Sequence, residues 1–413
     1  MTEINLEFNG DGYRGDDYFL LNGRVITPYR IIEHGGIRVQ GQYITRVFDM
    51  ANSNVPEGSR VIDVRGVIIA PGFIDIHLHG GGGADVMDGS IEAFEIIART
   101  HAQGGATAIL PSTLTSSLED LHRAISAFER ARDSVINGAR LLGLHLEGPY
   151  FAEAQCGAQD PRYLREPAPE EYLAILDKSA HIMRVSAAPE LPGALELGRE
   201  LRRRHILASI GHSDATYDDV LAAIESGYSH VTHLYSGMSG VKRVNCYRVT
   251  GVIESALLLD ELTVEVIADG KHLPASLLKL IYKCKGPERV ALCTDAIRAA
   301  SMPDGEYIVG SEDDGRRIIV DDGVAWLEDR SAFAGSVATI GQLVRNMVNM
   351  ADVSLRDAIK MATSTPAKIL GVDDKMGCLD PGKNADMVVL DSGLSVIMTI
   401  VGGRVVYRAP GLD

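Results

Sequence analysis

The chain has 413 residues, of which 46% are hydrophobic and 23% charged, a globular balance that excludes a disordered or fibrous chain. Its 56 acidic and 40 basic side chains give a formal net charge of −16, which argues against binding nucleic acid through a broad basic surface. The five cysteines form no C-x-x-C pair, no secretory leader opens the chain, and no apolar run could cross a bilayer, so we expect a cytoplasmic protein without a membrane partner.

The first 70 residues contain short, alternating, β-branched segments such as YFLLNGRVITP and GGIRVQGQYITRVF, which predict a meander of strands. The tail GKNADMVVLDSGLSVIMTIVGGRVVYR repeats this pattern. We therefore predict one small β-sandwich domain formed from both termini, residues 1–70 and 372–413.

Residues 71–371 alternate short apolar runs with amphipathic stretches, which is typical of repeated βα units. Helical apolar spacing with Ser, Thr or Pro start signals is found in segments 90–105, 117–135, 216–227 and 274–286. Eight such units predict an α/β chain with a (β/α)₈ TIM barrel as its catalytic domain. The predicted strands are 66–77, 106–112, 139–147, 181–190, 205–212, 229–235, 262–269 and 289–296.

The first predicted barrel strand ends in PGFIDIHLHGGGG, which places His77 and His79 two residues apart. Side chains at i and i+2 of a strand point to the same side, so these imidazoles can share one metal ion. Glycines 80–83 let the backbone pass close to that point. The alternative is an isolated His-Leu-His pair that serves packing and hydrogen bonding.

Four more metal-ligand residue types end later strands: Glu147, His212, His233 and Asp295. In a barrel these strand ends meet at one rim, so we expect all six side chains to converge. A mixed nitrogen and oxygen set suits zinc, iron(II), manganese or cobalt better than magnesium or calcium. We expect one or two divalent ions, with zinc or iron as first candidates. One ion needs only Glu147, His212 and His233, and six ligands allow a two-metal site bridged by Glu147.

Hydrolysis is the chemistry that this ligand set predicts, because a bound divalent ion lowers the pKa of its water from about 15.7 to around 7. Asp295 follows the apolar strand RVALCT and is placed to accept a proton from that water and pass it to a leaving amine. The alternative for Asp295 is a buried aspartate that caps a turn.

With these motifs together, the chain resembles the N-acetylglucosamine-6-phosphate deacetylase family of the amidohydrolase superfamily. The resemblance covers nearly the whole length and rests on PGFIDIHLHGGGG, HLEGPYF, GHSDATYDD, VTHLYSGM, IADGKHLP, CTDAIRAA, FAGSVATI and PGKNADMVVLD. HLEGP is the most specific motif, since its glutamate replaces the carbamylated lysine of many relatives. The resemblance implies hydrolysis of the acetamido group of an N-acetylated amino sugar phosphate to acetate and the amino sugar phosphate. It also implies metal on Glu147, His212 and His233, Asp295 as acid/base, and a homodimer.

The departures from the family pattern fall in the predicted substrate pocket. Ser236-Gly237-Met238 replaces Asn-Ala-Met, and Gln159 replaces a histidine. Arg248-Val-Thr-Gly replaces an Arg-Glu-Pro-Gly turn whose arginine binds phosphate, whereas His272 matches the substrate-binding histidine of the family. The acyl sugar can therefore differ from N-acetylglucosamine-6-phosphate. The predicted substrate-binding residues are Gln159, Ser236, Gly237, Arg248, His272 and Ser336.

Two of these predictions have open alternatives. Arg248, with Lys242 and Arg243, offers local positive charge that suits phosphate or carboxylate, or the three form a solvated loop. Ser336 either lines the pocket or caps the helix that follows it.

Two other functions also stay open. The first is an amidohydrolase that acts on a different amide or a cyclic ureide with the same metal site. The second is a non-catalytic sugar-phosphate binder on a decayed barrel, against which the full set of strand-end ligands argues.

Overall fold

The computed structural model describes residues 7–8, 17–135 and 137–410. Of the predicted terminal segments, residues 1–6, 9–16 and 411–413 lie outside this description. The strands are β1 (Glu7–Phe8), β2 (Tyr18–Ile26), β3 (Ile31–Gln40), β4 (Tyr43–Asp49), β5 (Val61–Asp63), β6 (Ile68–Pro71), β7 (Phe73–Leu78), β8 (Gly80–Gly81), β9 (Ala84–Asp85), β10 (Ala106–Pro111), β11 (Arg140–Leu141), β12 (Leu144–Glu147), β13 (Ile182–Ala187), β14 (Leu207–Ile210), β15 (Tyr228–Val231), β16 (Lys242–Val244), β17 (Tyr247–Val249), β18 (Thr263–Val266), β19 (Val290–Leu292), β20 (Gly305–Val309), β21 (Arg316–Asp321), β22 (Val324–Leu327), β23 (Met387–Leu390), β24 (Val396–Val401) and β25 (Arg404–Arg408).

The helices lie mainly between the strands of the middle segment. They are α1 (Ile91–Gln103), α2 (Leu118–Ala131), α3 (Pro169–Leu176), α4 (Ala194–Arg203), α5 (Tyr217–Ser226), α6 (Val252–Leu258), α7 (Ala275–Lys285), α8 (Ile340–Asn349), α9 (Leu355–Met361) and α10 (Ser364–Ile369). The predicted N-caps explain where two of them begin, because Ser90 Oγ accepts the amide of Ala93 at 3.1 Å and Ser117 Oγ accepts that of Asp120 at 3.1 Å.

Strands from both ends of the chain belong to one sheet. Its order is β1-β5-β2-β6-β23-β24-β25, with β3 also paired to β2 and β4 paired to β3. The join is the antiparallel pair β6 and β23, in which Ile69 lies opposite Val389. This sheet has an apolar core of its own, which includes Leu20, Ile37, Ile62, Met387, Val389 and Ile400.

The middle of the chain contributes eight parallel strands: β7, β10, β12, β13, β14, β15, β18 and β19. They form a sheet of β11, β10 and β7 and a second sheet running from β12 to β19. Isolated parallel bridges between Ser112 and His145 and between Leu78 and Ala296 join the two sheets at both seams. The predicted α/β class is confirmed by this architecture and by the solved relatives described below.

The interior enclosed by these strands changes character along its length. Towards the amino ends it is apolar, and Ile74, Ile76, Ala108, Leu110 and Ala291 pack there with residues from α10 onward. Above this layer lie buried polar side chains, and above those the carboxyl ends of the strands, which we call the rim. Parallel α/β architectures carry their active sites at this end.

Candidate active site

The six predicted ligands meet at the rim around the carboxylate of Glu147. Its Oε1 atom lies 3.0 Å from His233 Nε2, 3.3 Å from His77 Nε2 and 3.5 Å from His212 Nε2. Its Oε2 atom lies 3.2 Å from His79 Nε2. Asp295 Oδ1 completes the group at 3.1 Å from His79 Nε2 and 3.6 Å from His77 Nε2.

Hydrogen bonds on the far side of the rings fix how three imidazoles face this centre. His79 Nδ1 donates to the carbonyl of Ser112 at 3.1 Å, and His212 Nδ1 donates to the carbonyl of Gln155 at 2.8 Å. His77 Nδ1 faces the carboxylate of Glu265 at 2.7 Å. Because these partners can only accept, each Nδ1 carries a proton, and Nε2 is the ring nitrogen that faces the centre.

The residues present fit a divalent cation. Three Nε2 atoms crowd one oxygen of Glu147, and His77 Nε2 faces His79 Nε2 at 3.3 Å, although neutral Nδ1–H tautomers leave no proton for these contacts. A cation among the lone pairs and carboxylates resolves that conflict. The donor set of imidazole and carboxylate suits zinc-like metals.

The pKa shifts in the metal-free site show that its carboxylates favour positive charge on the neighbouring imidazoles. Burial alone would lower the pKa of His77, but the carboxylates of Glu147 and Glu265 outweigh it and raise this pKa to about 9. Burial opposes ionisation of Glu147, yet the surrounding imidazoles hold its pKa well below the usual range. The pKa of Asp295 is also lowered against burial, mainly by its hydrogen bond with His79. Both carboxylates are therefore ionised at neutral pH.

Three ligand residues also hold left-handed backbone conformations that side chains rarely adopt. The φ angles are 45° at His212, 27° at His233 and 49° at Asp295. Strain of this kind persists only where the surroundings enforce it, and it clusters at functional sites. Gly237 passes so close that an added Cβ would lie 2.7 Å from His212 Nδ1.

A cavity of about 290 Å³ opens above the ligands. Four of the predicted substrate-binding residues line it: Gln159, Ser236, Gly237 and His272. Gln159 also touches the metal ligands, since its Nε2 donates to Glu147 Oε2 at 2.7 Å while its Oε1 accepts the amide of Thr115 at 2.8 Å. His272 is held by Asp269, whose Oδ2 lies 2.7 Å from His272 Nδ1.

The other two predicted substrate residues lie elsewhere. Arg248 is on the exposed β16–β17 hairpin and does not line the cavity. Ser336 Oγ donates to the carbonyl of Thr294 at 2.5 Å and accepts the amide of Ala338 at 3.2 Å, so it stabilises a turn, and its neighbour Gly335 lines the cavity.

Glu265 and Arg184 were missed by the sequence reasoning, although they lie directly beneath the ligands. Both are fully buried, and Glu265 contacts His77 while Arg184 contacts Glu265. The available signal was one charged residue in the middle of each of two otherwise buried strands, TVEV and IMRVSA. Phe333 and Tyr235, which line the cavity, carried no comparable signal.

Comparisons with known proteins show the family to which the chain belongs. A family model described as the Amidohydrolase family matches residues 68–406. An N-acetylgalactosamine-6-phosphate deacetylase of Escherichia coli O157:H7 is 37% identical over 338 residues, covering 82% of this chain and 87% of the relative. An N-acetylglucosamine-6-phosphate deacetylase of Vibrio furnissii is 36% identical over 344 residues, covering 83% of this chain and 84% of the relative.

Solved structures give the same result. A mutant N-acetyl-D-glucosamine-6-phosphate deacetylase of Mycobacterium smegmatis, in complex with N-acetyl-D-glucosamine-6-phosphate, superposes with a TM-score of 0.87 at 31% identity. The match covers 95% of this chain and all of that one. The N-acetylglucosamine-6-phosphate deacetylase of Pasteurella multocida superposes with a TM-score of 0.88 at 29% identity, with the same coverage.

Proposed function

The chain belongs to the amidohydrolase family and, within it, to the N-acetylglucosamine-6-phosphate deacetylases, and we propose that it hydrolyses the acetamido group of an N-acetylated amino sugar 6-phosphate. The products are acetate and the amino sugar phosphate. The observation that carries this function is the convergence of Glu147, four imidazoles and Asp295 at the base of one cavity. The relatives act on both gluco and galacto configured sugars, so the amino sugar phosphate class is the appropriate statement of substrate.

The architecture that positions this site is a (β/α)₈ barrel, extending from about residue 71 to 371, with a β-sandwich built from both termini. The two bridges at the seams support closure of the barrel. The join of β6 with β23 supports the terminal domain.

One ion would be held by Glu147, His212 and His233, and His77 and His79 would provide for a second, with zinc or iron as the expected metals. When bound, such an ion acidifies a water molecule and polarises the amide carbonyl. Asp295, ionised and facing the centre, accepts the proton of the attacking water. As the C–N bond breaks, Asp295 passes that proton to the nitrogen of the leaving amine, and the amino sugar departs with its hydroxyl groups unchanged.

Residues of the cavity wall orient the substrate. His272, fixed by Asp269, presents Nε2 to the cavity as a hydrogen-bonding group. Gly237 offers space and a backbone amide where a side chain would collide with His212. The ring of Phe333 packs against His272 with centroids 4.9 Å apart and adds an apolar wall.

The phosphate requires positive charge that this cavity lacks in a single chain. Among the described residues that line it there is no lysine or arginine. Arg243 and Arg248 lie directly opposite each other on the β16–β17 hairpin, an arrangement that repels unless an anion lies between the side chains. We assign the anion to this hairpin and propose that it reaches the substrate in a homodimer.

The setting is proposed to be the cytoplasm, where cysteines stay reduced. The five described cysteines are all unpaired. In the described ranges, no helix combines the length and apolar character that a membrane span requires.

Acetate release from a panel of sugars tests the function. We expect turnover of the 6-phosphates of N-acetylglucosamine or N-acetylgalactosamine, and much weaker turnover of the unphosphorylated sugars. Cyclic ureides belong in the same panel, because turnover of a ureide without any phosphosugar activity would replace this function with the alternative one. Tight binding of a phosphosugar by the metal-loaded protein with no acetate released would leave only a binding role.

A further inference from the structure

We propose that Glu265, held in place by Arg184, is the positioning residue for His77 and is required for the His77 and His79 side of the site to hold a metal ion. The inference rests on the proposed function only in that both need bound metal. It assigns a role to two residues that touch neither the cavity nor the substrate.

Two opposite charges are buried next to each other within parallel strands. Glu265 of β18 and Arg184 of β13 are both fully buried. Removing two charges from water costs several kcal/mol per ion, which attraction within the pair repays only when the geometry is very good. An apolar pair would fill the same space without that cost, so the charges need a reason beyond packing.

Arg184 meets that geometric requirement because each of its nitrogens has an acceptor. Nε donates to Ser209 Oγ at 3.0 Å, Nη1 to the carbonyl of Ile76 at 3.1 Å, and Nη2 to Thr232 Oγ1 at 2.9 Å. Nη1 and Nη2 also bind the two oxygens of Glu265, at 2.6 and 2.9 Å. The guanidinium is thus held by β7, by β14 and by the residue after β15, and it fixes the plane of the carboxylate.

The carboxylate in turn contacts two metal ligands. Glu265 Oε1 accepts Nδ1–H of His77 at 2.7 Å and the backbone amide of His233 at 3.2 Å. This contact commits His77 to the tautomer whose Nε2 faces Glu147 and His79. A carboxylate behind a ligating imidazole also raises the basicity of the ligand, and loss of such a partner typically costs 10- to 100-fold in metal affinity.

The effect should be selective for one side of the site. His79 and His212 direct their Nδ1 atoms at backbone carbonyls, and His233 Nδ1 has no hydrogen-bond partner within the described ranges. Of these four imidazoles, only that of His77 directs its Nδ1 atom at a carboxylate. Removing the carboxylate therefore weakens the His77 and His79 side and spares the ligation through His212.

The central experiment compares metal retention by the wild-type holoprotein and Glu265→Gln. Both are purified from zinc-supplemented cells, the zinc per chain is counted by elemental analysis, and its transfer to a chromophoric chelator is followed over time. We expect two ions in the wild type. In the variant we expect one ion with a 10- to 100-fold lower affinity and one with wild-type release.

Two further variants separate positioning from folding. Glu265→Gln leaves Arg184 without its counter-charge, so Arg184→Met with Glu265→Gln provides a version in which no buried charge is unpaired. The control is Asp386→Asn, which neutralises a buried carboxylate just before β23. This carboxylate lies 3.6 Å from Arg140 of β11 and far in the chain from the predicted ligands. We expect the double variant to lose the ion that Glu265→Gln binds more weakly, and we expect Asp386→Asn to retain both ions.

Retention of both ions at wild-type rates by either Glu265 variant would overturn the inference. Retention of both ions by His77→Ala would overturn it as well. If neither variant is soluble, the tautomer of His77 in ¹⁵N-labelled wild-type holoprotein decides: a proton on Nδ1 supports the inference and a bare Nδ1 overturns it. None of these readouts uses acetate release. Failure of the deacetylase function would therefore leave the metal result standing, and the reverse also holds.

Discussion

Asp295 is the residue on which the proposed proton transfer depends. It sits at φ 49° with its Oδ1 atom 3.1 Å from His79 Nε2, and its carboxylate is ionised at neutral pH. We expect Asp295→Asn to keep nearly all bound metal and to lower kcat by about 10²- to 10⁴-fold, the usual contribution of a general acid/base. Acetate release and elemental analysis of the same preparation measure both. Full activity in this variant would remove Asp295 from the mechanism.

At Gly237, the effect of backbone strain can be separated from the effect of a close approach to His212. Its φ is +56°, and a Cβ would also lie 2.7 Å from His212 Nδ1, whereas Gly286 has φ +66° with nothing within 4 Å of an added Cβ. Gly286→Ala should cost about 1–3 kcal/mol of stability from backbone strain alone, because its ψ of 170° is a conformation that residues other than glycine rarely adopt. Gly237→Ala should displace His212 and lower bound metal and kcat at least tenfold. Thermal unfolding and zinc content of the two variants make the comparison, and equal behaviour of the pair would show that the approach to His212 is unimportant.

Each of the six predicted ligands ends a strand that the sequence makes recognisable, and the structure brings their side chains together around Glu147. Their role as metal ligands stays a prediction. Glu265 could not be assigned in the same way, because its role depends on which side of β18 faces His77. Arg248 illustrates the opposite case. Its residue type and motif favour the anion, yet only folding shows that it lies on an exposed hairpin outside the cavity.

At the scale of elements, the β16–β17 hairpin makes a prediction about charge. Arg243 and Arg248 are exposed and paired across the hairpin, while Lys242 is engaged with Asp214. Changing both arginines to alanine should raise KM for the phosphorylated sugar about tenfold or more, because charged hydrogen bonds contribute roughly 1.5–3 kcal/mol each. The kcat should not change, and the melting temperature of the ligand-free protein should not fall, because the change removes two like charges that face each other. Steady-state rates with phosphorylated and unphosphorylated sugars test this. An equal rise in KM for both sugars would show that the hairpin does not bind the phosphate group.

The contact between α6 and α7 makes a prediction about pH. Lys285 ends α7 and donates to the carbonyl of Leu259 after α6 at 2.6 Å, and burial lowers its pKa to about 8. Between pH 8 and the ordinary lysine value of 10.5 the unfolded chain holds a proton that the native state lacks, so this group makes stability rise with pH. We expect the rise to be smaller in Lys285→Met.

Exposed Lys283→Met is the matched control for that measurement. Urea unfolding at pH 7.5, 8.5 and 9.5 gives the slopes. One ionisation accounts for at most about 1.4 kcal/mol per pH unit, and partial exposure reduces this figure. Parallel slopes for wild type and Lys285→Met would show that burial does not lower the pKa of this lysine.

Elements with start signals were predicted closely, and those without them were not. Helices α1, α2, α5 and α7 fall within the predicted segments, because hydroxyl caps and proline mark their first turns. The β16–β17 hairpin is exposed on nearly every residue, and each of its strands has only three residues, which is too few for an apolar alternation to reveal them. The β20–β22 sheet follows β19, where a barrel pattern predicts only the last loop and helix.

Between the eight parallel strands, the interior is apolar towards the amino ends and polar beneath the carboxyl ends, where the predicted ligands lie. A hydrogen-bonded series links His145, Ser186, Thr232 and Arg184 to Glu265 beneath the ligands. Buried networks of this kind stabilise a structure only when every member is satisfied. The metal ligands are the part of this network that requires an added cation, so metal should contribute to the stability of the entire chain.

Metal binding should therefore raise the melting temperature, and the increase should grow with pH. In the metal-free protein the raised pKa of His77, about 9 against an ordinary value of 6.5, contributes stability that is complete below pH 6.5 and is lost as pH rises through 9. Metal replaces those protons, so the holoprotein does not lose this contribution. Free zinc at 1,000 times its Kd adds about 4 kcal/mol. Thermal unfolding of chelator-treated and zinc-reloaded protein at pH 6.5, 7.5 and 8.5 should show a widening gap, and calcium, which prefers oxygen ligands, should not restore it. A gap that narrows towards pH 8.5 would mean that protons and metal do not compete for these imidazoles.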